Sequence, residues 1–349
     1  ERGIYNGLSA KRAVERLNER YRDGSGDYIR RRDAREDFGT NPCSEIILRS
    51  REFCNLSECV IRRDDTREHL KEKVRVATIL GTFQSTLTEF KYLSREWKRN
   101  CEEERLLGVS LTGIMDNPLT NGSKKGLDKL LEELRDVAYE TNKEWAEKLG
   151  IPPSAAITCV KPSGTVSQLV DSASGIHARH NPFYIRTVRA DNKDPLCNLM
   201  KEMGFPNEPD VTKPDHTTVF SFPMKSPKDA VFRMDMSALE QLELWKTYAT
   251  SWCEHKPSVT ISVKEDEWVD VAAWVYENFD AISGISFLPF SEHVYRQAPY
   301  QDCTKEEYEE ALKTMPKDVD WAELSKYESQ DYTISSQELA CTAGGCEVI

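Results

Sequence analysis

The feature that most constrains this chain is the alternation of short apolar runs with amphipathic stretches. Leu107–Leu111, Ala156–Val160, Thr218–Phe222, Ser258–Val263 and Gly284–Leu288 each have strand length, and helical patterns separate them. That order predicts parallel strands joined by crossover helices, an α/β fold. The clearest helix spans about Lys124 to Leu149. Its Leu127, Leu130, Leu131, Leu134, Val137 and Ala138 form one apolar stripe, and Gly150, Pro152 and Pro153 stop it. Ser237 with Glu240, and Thr304 with Glu307, read as capping boxes that open two more helices. No internal repeat or long low-complexity linker interrupts the pattern.

The 349 residues suffice for one large domain or two ordinary ones. With 59 acidic against 47 basic side chains, the net charge of −12 argues against a broad grip on nucleic acid. A small anionic substrate stays compatible, because backbone N–H groups can bind phosphate on an acidic protein. No apolar run approaches the roughly 20 residues of a membrane span. No signal peptide opens the chain, which fits a cytoplasmic protein, though Glu1 in place of Met makes that a weak argument. The basic run Arg30-Arg31-Arg32, after the flexible Gly24-Ser25-Gly26, reads as a solvated loop.

Ten cysteines are too few for a disulfide scaffold of this length. Cys59, Cys101, Cys159, Cys197, Cys253 and Cys303 stand singly and read as structural thiols. Four others have informative surroundings. In Asn41-Pro42-Cys43-Ser44-Glu45, an extended backbone would put the amide, thiol and carboxylate on one side. Pro42 argues against a central strand, so an exposed loop fits better. A carboxylate beside a thiol disfavours the thiolate, which suits hydrogen-atom loss from Cys43 with Glu45 as a general base. An Asn-Pro turn with incidental neighbours is the plainer alternative. Eleven residues on, Cys54 could pair with Cys43 or act separately.

Lys161-Pro162-Ser163-Gly164-Thr165-Val166-Ser167 follows an expected strand. Strand, Pro/Gly turn and helix start make a natural phosphate cradle, although an ordinary helix start reads the same way. Walker A spacing is absent. Near the end, Cys341 and Cys346 enclose Thr-Ala-Gly-Gly on a polar, turn-rich segment. A tether of about 16 residues reaches on the order of 22 Å, enough to carry a dithiol to another site. Idle cysteines on a flexible end are the alternative. A zinc site would need two further ligands that no nearby His or Cys supplies, so no metal is assigned.

Together these segments resemble the ribonucleotide reductases. Asn41-x-Cys43-x-Glu45 matches the family's finger-loop motif. Phe53 to Glu58, Leu107 to Asp116, Pro162 to Ser167, Ser174 to His177 and Ser286 to Pro289 follow in the family's order. The resemblance runs from about Arg2 to the C-terminus. It implies a radical reduction of ribonucleotides, triphosphates above all, to 2′-deoxyribonucleotides. Cys43 would be the thiyl radical that takes the 3′-hydrogen, Glu45 would take the 3′-hydroxyl proton, and Asn41 would hold the ribose hydroxyls. Cys54 would be one of two reducing thiols. Ser163, Gly164, Thr165, Val166 and Ser167 would bind the substrate phosphates. Cys341 and Cys346 would relay electrons from a thioredoxin-like reductant.

Neither a Tyr-Tyr pair nor an Arg-x-x-Gly-Tyr motif occurs in the chain. The Cys43–Cys54 spacing and the run Phe287 to Tyr300 look most like the adenosylcobalamin-dependent, monomeric ribonucleoside-triphosphate reductases. The implied fold is the C-terminal part of a ten-stranded α/β barrel over residues 1–324, with a central finger loop. Residues 325–349 would form a mobile redox tail. The family's second active-site thiol, its first half-barrel and its effector site have no counterpart here. An N-terminal half-barrel polypeptide, supplied by a longer or split gene, is therefore an expected partner. A fragment of a di-iron-dependent large subunit and a non-catalytic nucleotide-binding remnant are the alternatives.

Overall fold

A computed structural model describes residues 2–5, 7–21, 32–282, 284–290 and 296–328. In chain order the first elements are β1 (Arg2–Tyr5), α1 (Gly7–Arg20), β2 (Gly39–Thr40) and β3 (Ile47–Leu48). There follow β4 (Asn55–Val60), α2 (Arg67–Gln84), α3 (Arg95–Glu104), β5 (Leu107–Thr112) and α4 (Leu127–Leu149). Next come β6 (Thr158–Cys159), α5 (Gly164–Leu169), β7 (Phe183–Asp191), α6 (Pro195–Glu202), β8 (Asn207–Pro209) and β9 (Thr217–Lys225). The last are α7 (Ala238–Ser251), β10 (Thr260–Val263), α8 (Trp268–Glu277), β11 (Gly284–Pro289), β12 (Tyr300–Asp302) and α9 (Lys305–Thr314).

Two compact units share these elements: Glu1–Ala178 with Asp229–Phe290, and Arg179–Lys228 with Ser291–Ile349. In the first unit β4, β5 and β6 are parallel neighbours, and β10 runs parallel to β11. A single parallel bridge from Val160 to Pro257, just outside the strands, links the β4-β5-β6 sheet to the β1-β11-β10 sheet. Antiparallel β1 adds to β11 at the far side. Helices α2 and α3 lie between β4 and β5 in the chain, α4 between β5 and β6, and α8 between β10 and β11. The crossover order expected from the sequence is present.

Alternation along the strands sorts their side chains into two layers. Leu107, Val109 and Leu111 of β5 join Leu70, Val74 and Ala77 of α2 and Leu130, Leu131 and Leu134 of α4 in the main core. Trp245, Tyr248 and Trp252 complete it, fully buried. Register then puts Leu56 and Glu58 of β4, Gly108, Ser110 and Thr112 of β5, and Cys159 of β6 on the opposite face. Thr260, Ser262 and Ser286 continue that face. One face of this sheet is thus an apolar floor for helices, and the other is rich in hydroxyls, thiols and charge.

Several expectations change in detail. Of Ala156–Val160 only Thr158–Cys159 forms a regular strand, with Val160 adding the bridge to Pro257, and the long helix starts at Leu127, after Gly126 at φ +86°. Thr217–Lys225 is a strand but not a parallel one: it pairs antiparallel with β7 in the second unit, whose sheet order is β12-β7-β9-β8. Both capping boxes form as expected. The solvated reading of the basic run fails at Arg32, which is buried and ion-paired with Glu52 and Glu104 (3.4 and 2.8 Å). Its partners lie 20 and 72 residues away, beyond the reach of a local charge pattern. Arg30 and Arg31 lie outside the described residues.

Candidate active site

Asn41 to Glu45 form the tip of the hairpin between β2 and β3, which pair through Gly39–Leu48 and Thr40–Ile47. The segment is a turn, neither extended nor freely exposed. The Ser44 N–H donates to the Asn41 carbonyl at 2.9 Å, and Ser44 sits at φ +63°. The Asn41 side chain organises the tip: its Nδ2 donates to Glu45 Oε1 at 2.6 Å and its Oδ1 accepts from the Ile46 N–H at 3.0 Å. Asn41 and Glu45 therefore meet through a turn, not through the period-2 geometry of a strand. Cys43 is half-buried and Glu45 fully buried.

The hairpin is fixed to the segment that precedes β10. The Lys256 N–H donates to the Glu45 carbonyl at 2.9 Å, and the Ile47 N–H donates to His255 Nδ1 at 3.3 Å. His255 Nε2 lies 3.0 Å from the Leu107 carbonyl, so the ring spans from hairpin to β5. Glu45 thereby reaches the polar face. There Lys161, just past β6, donates to Glu45 Oε1 at 2.9 Å. Glu45 Oε2 is buried and has no hydrogen-bond partner among the described residues.

Cys54 lies immediately before β4. Burial, reinforced by the Glu45 charge, pushes its thiol well above the ordinary range, and Lys161 only partly offsets this. A thiol held protonated is a hydrogen and electron donor rather than a thiolate nucleophile. Close approach depends on Gly108, where a Cβ would lie 2.4 Å from Leu56 Cδ2, 3.1 Å from Cys54 Sγ and 3.2 Å from Ile46 Cδ1. Cys159, fully buried on the same face, has its thiol pushed up first by burial and then by the Cys54 and Glu45 charges. All eight cysteines among the described residues are free thiols.

Ser163 precedes α5, but its hydroxyl does not cap the helix; it donates to Glu58 of β4. Burial raises the Glu58 carboxyl above its usual range, against hydrogen bonds from Ser163 and Thr112 and the Lys161 charge. The α5 start thus has no side-chain cap, and the first-turn N–H groups of a helix lack intrahelical acceptors. Nearby, Ser174 accepts from the Ser163 N–H at 3.0 Å, and His177 Nε2 accepts from the Thr260 N–H at 3.0 Å.

The structure therefore brings Asn41, Glu45 and Cys54 together, keeps Cys43 within electrostatic reach of Lys161, and connects Ser163 to the same face through Glu58. Among the described residues, no hydrogen bond joins Gly164, Val166 or Ser167 to the hairpin. Cys341 and Cys346 lie outside the described residues. Lys161, Glu58 and Gly108 were not singled out by the motif reading, although each stands inside a quoted segment. Only strand register reveals that they share a face with Cys54.

No family model matches the chain. Its fold is that of a solved B12-dependent (class II) ribonucleotide reductase, with TM-score 0.74 and 24% identity over 95% of this chain and 48% of that one. The Actinobacillus ureae class Id ribonucleotide reductase alpha subunit is more distant, with TM-score 0.52 and 14% identity over 83% of this chain. The likeness to these structures shows an α/β fold of the kind found in ribonucleotide reductases. In sequence the chain is 32% identical over 315 residues to the adenosylcobalamin-dependent ribonucleoside-triphosphate reductase of Euglena gracilis, covering 89% of this chain and 41% of that protein. The Lactobacillus acidophilus protein of the same name is 27% identical, covering 100% of this chain and 49% of the relative. This chain is homologous to about the C-terminal part of the adenosylcobalamin-dependent ribonucleoside-triphosphate reductases. It spans about half the length of the curated relatives it matches, or slightly less.

Proposed function

We propose that this chain supplies the catalytic half of a ribonucleotide reductase that converts ribonucleotides, triphosphates above all, to 2′-deoxyribonucleotides. The observation that carries the reading is Glu45: one oxygen is held by Asn41 and Lys161, and the other is buried with no donor among the described residues. A substrate 3′-hydroxyl is the donor that would fill that place and give up its proton there. Cys43, two residues before Glu45 and half-buried, would take the 3′-hydrogen atom as a thiyl radical. Loss of water from C2′ then requires two electrons, and Cys54 with a second thiol would supply them by forming a disulfide. The start of α5, from Ser163 to Ser167, would receive the substrate phosphates, with the first-turn N–H groups of Gly164, Thr165 and Val166 as donors.

The parallel strands of the first unit, with antiparallel β1, would form just over half of a ten-stranded barrel, with the hairpin as its finger. The polar face is open at β4, where Leu56 is 40% exposed. An N-terminal half-barrel carrying the second thiol would cover that face. Residues 1–324 would then form the C-terminal barrel portion. Residues 325–349 would form the tail that brings Cys341 and Cys346 to the oxidised pair and collects electrons from a thioredoxin-like protein. No helix among the described residues is long and apolar enough to cross a membrane, and cytoplasmic placement is part of this proposal.

Adenosylcobalamin is the proposed cofactor, and Cys43, half-buried at a hairpin tip, is the thiol that would face it. The chemistry it supplies when bound is a radical able to take the hydrogen of the Cys43 thiol. The chain's own residues do the rest: they hold the ribose hydroxyls, accept the proton and donate the electrons. The test is to assemble the chain with the upstream half of a relative and assay nucleoside-triphosphate reduction with adenosylcobalamin alone. Activity that ignores adenosylcobalamin and appears on adding a di-iron protein would overturn the cofactor. No reduction under either condition would overturn the function.

A further inference from the structure

We infer that Lys161 is the positioning residue for Glu45: by occupying Oε1 together with Asn41, it fixes the carboxylate so that Oε2 faces the reacting hydroxyl. The inference rests on the proposed reduction and names a residue within that same site.

Geometry carries the argument. Oε1 accepts from Asn41 Nδ2 at 2.6 Å and from Lys161 Nζ at 2.9 Å. The Glu45 side chain is 0% exposed, so its charge needs a partner close by, and Lys161 provides it. A surface ion pair of this kind would contribute little, but here the carboxylate end is entirely out of water. Oε2 is left buried and unpartnered among the described residues, a costly condition unless the place is reserved for a donor.

Lys161 is itself held on both sides of its peptide. Its N–H donates to Ser110 Oγ at 2.8 Å. Its carbonyl lies against Gly175, at φ +54°, where a Cβ would come within 2.6 Å of it, and Pro162 fixes the following φ. Other titratable groups near the ammonium are Cys43, Cys54 and Cys159, and Glu58 feels its charge from β4. Burial disfavours the ammonium, yet the Glu45 charge and hydrogen bond hold Lys161 above the ordinary lysine range. The competing role, an anchor for a substrate phosphate, would leave kcat nearly untouched and raise KM.

Two arms test this. In the enzyme assembled with an upstream half, Lys161→Gln should lower kcat by about 10²-fold, the order expected for a misplaced reacting group. KM should change little, and Lys161→Arg should restore most of the loss. A raised KM at unchanged kcat would assign Lys161 to substrate anchoring and overturn the inference. The second arm needs no activity: the Lys161 side-chain nitrogen is titrated by NMR in the 349-residue chain, with its signal assigned by Lys161→Arg. Glu45→Gln should lower its midpoint by about one pH unit or more; an unmoved midpoint would show that the two groups are not paired. If the assembled wild type reduces no nucleotide, the reduction proposal falls and the titration still decides the pairing. Circular dichroism and urea unfolding confirm that each variant folds.

Discussion

Asn41 and Glu45 are joined by a 2.6 Å hydrogen bond across a four-residue turn, and the same Asn41 side chain also accepts from the Ile46 N–H. The tip of the hairpin is therefore held by the Asn41 amide. Cys43→Ser, an almost isosteric exchange, should leave unfolding by urea within about 1 kcal/mol of the wild type. In the assembled enzyme the same change should abolish nucleotide reduction. Appreciable deoxynucleotide formation by the serine variant would remove Cys43 from its role.

Gly108 leaves the space into which Cys54 Sγ leans. Gly108→Ala should cost on the order of 1 kcal/mol, toward the lower end of overpacking penalties, because the half-exposed Leu56 can swing away while Ile46 and Cys54 cannot as easily. Alkylation of Cys54 should change in rate. Unchanged stability together with an unchanged rate would mean that Leu56 absorbs the methyl group alone.

Arg32, together with Arg49, neutralises two buried carboxylates, Glu52 and Glu104. Burial and the Glu104 charge push the Glu52 carboxyl up to about 7 even with Arg32 present. A raised carboxyl favours folding below its ordinary value of 4.5 and costs stability as pH rises through 7. Arg32→Met should thus destabilise by about 3–5 kcal/mol at pH 8 and by less at pH 5, where protonation relieves the pair. Urea denaturation at the two pH values checks the sign, and an equal loss at both would contradict it.

Burial raises the Cys59 thiol from 9.0 to about 12. The unfolded chain then loses this proton before the folded one does, so stability is full below pH 9 and falls as pH rises toward 12. Cys59→Ala should remove up to about 1.4 kcal/mol of loss per pH unit in that window. Unfolding free energies at pH 8.5 and 10.5, compared with wild type, measure it. Parallel curves for the two proteins would show that Cys59 titrates alike in both states.

Replacing Cys341 and Cys346 by Ser in the assembled enzyme should stop multiple turnovers driven by a thioredoxin-type protein. A small dithiol that enters the site directly should still sustain them. Equal loss with both reductants would assign these thiols another task.

The sequence carried the local decisions. Apolar runs at strand length, a leucine stripe and two capping boxes fix which segments become strands and helices, because each depends on neighbours within one or two turns. Asn41, Cys43, Glu45 and Cys54 were legible as a site because they lie within 14 residues in a recognisable order. Residue spacing could not show that Arg32 is buried or that Thr217–Lys225 pairs antiparallel, since both depend on partners remote in the chain.

Chain order and side-chain chemistry by themselves determined the α/β class and pointed to Cys43 and Cys54 as the candidate thiols. Tertiary structure alone decided that Glu45 is buried, that Lys161, 116 residues away, shares its Oε1, and that Oε2 is left over. The physical reason is register. Pairing β4, β5 and β6 in parallel selects which alternate side chains share a face, and a one-residue slip would exchange the polar face for the apolar one.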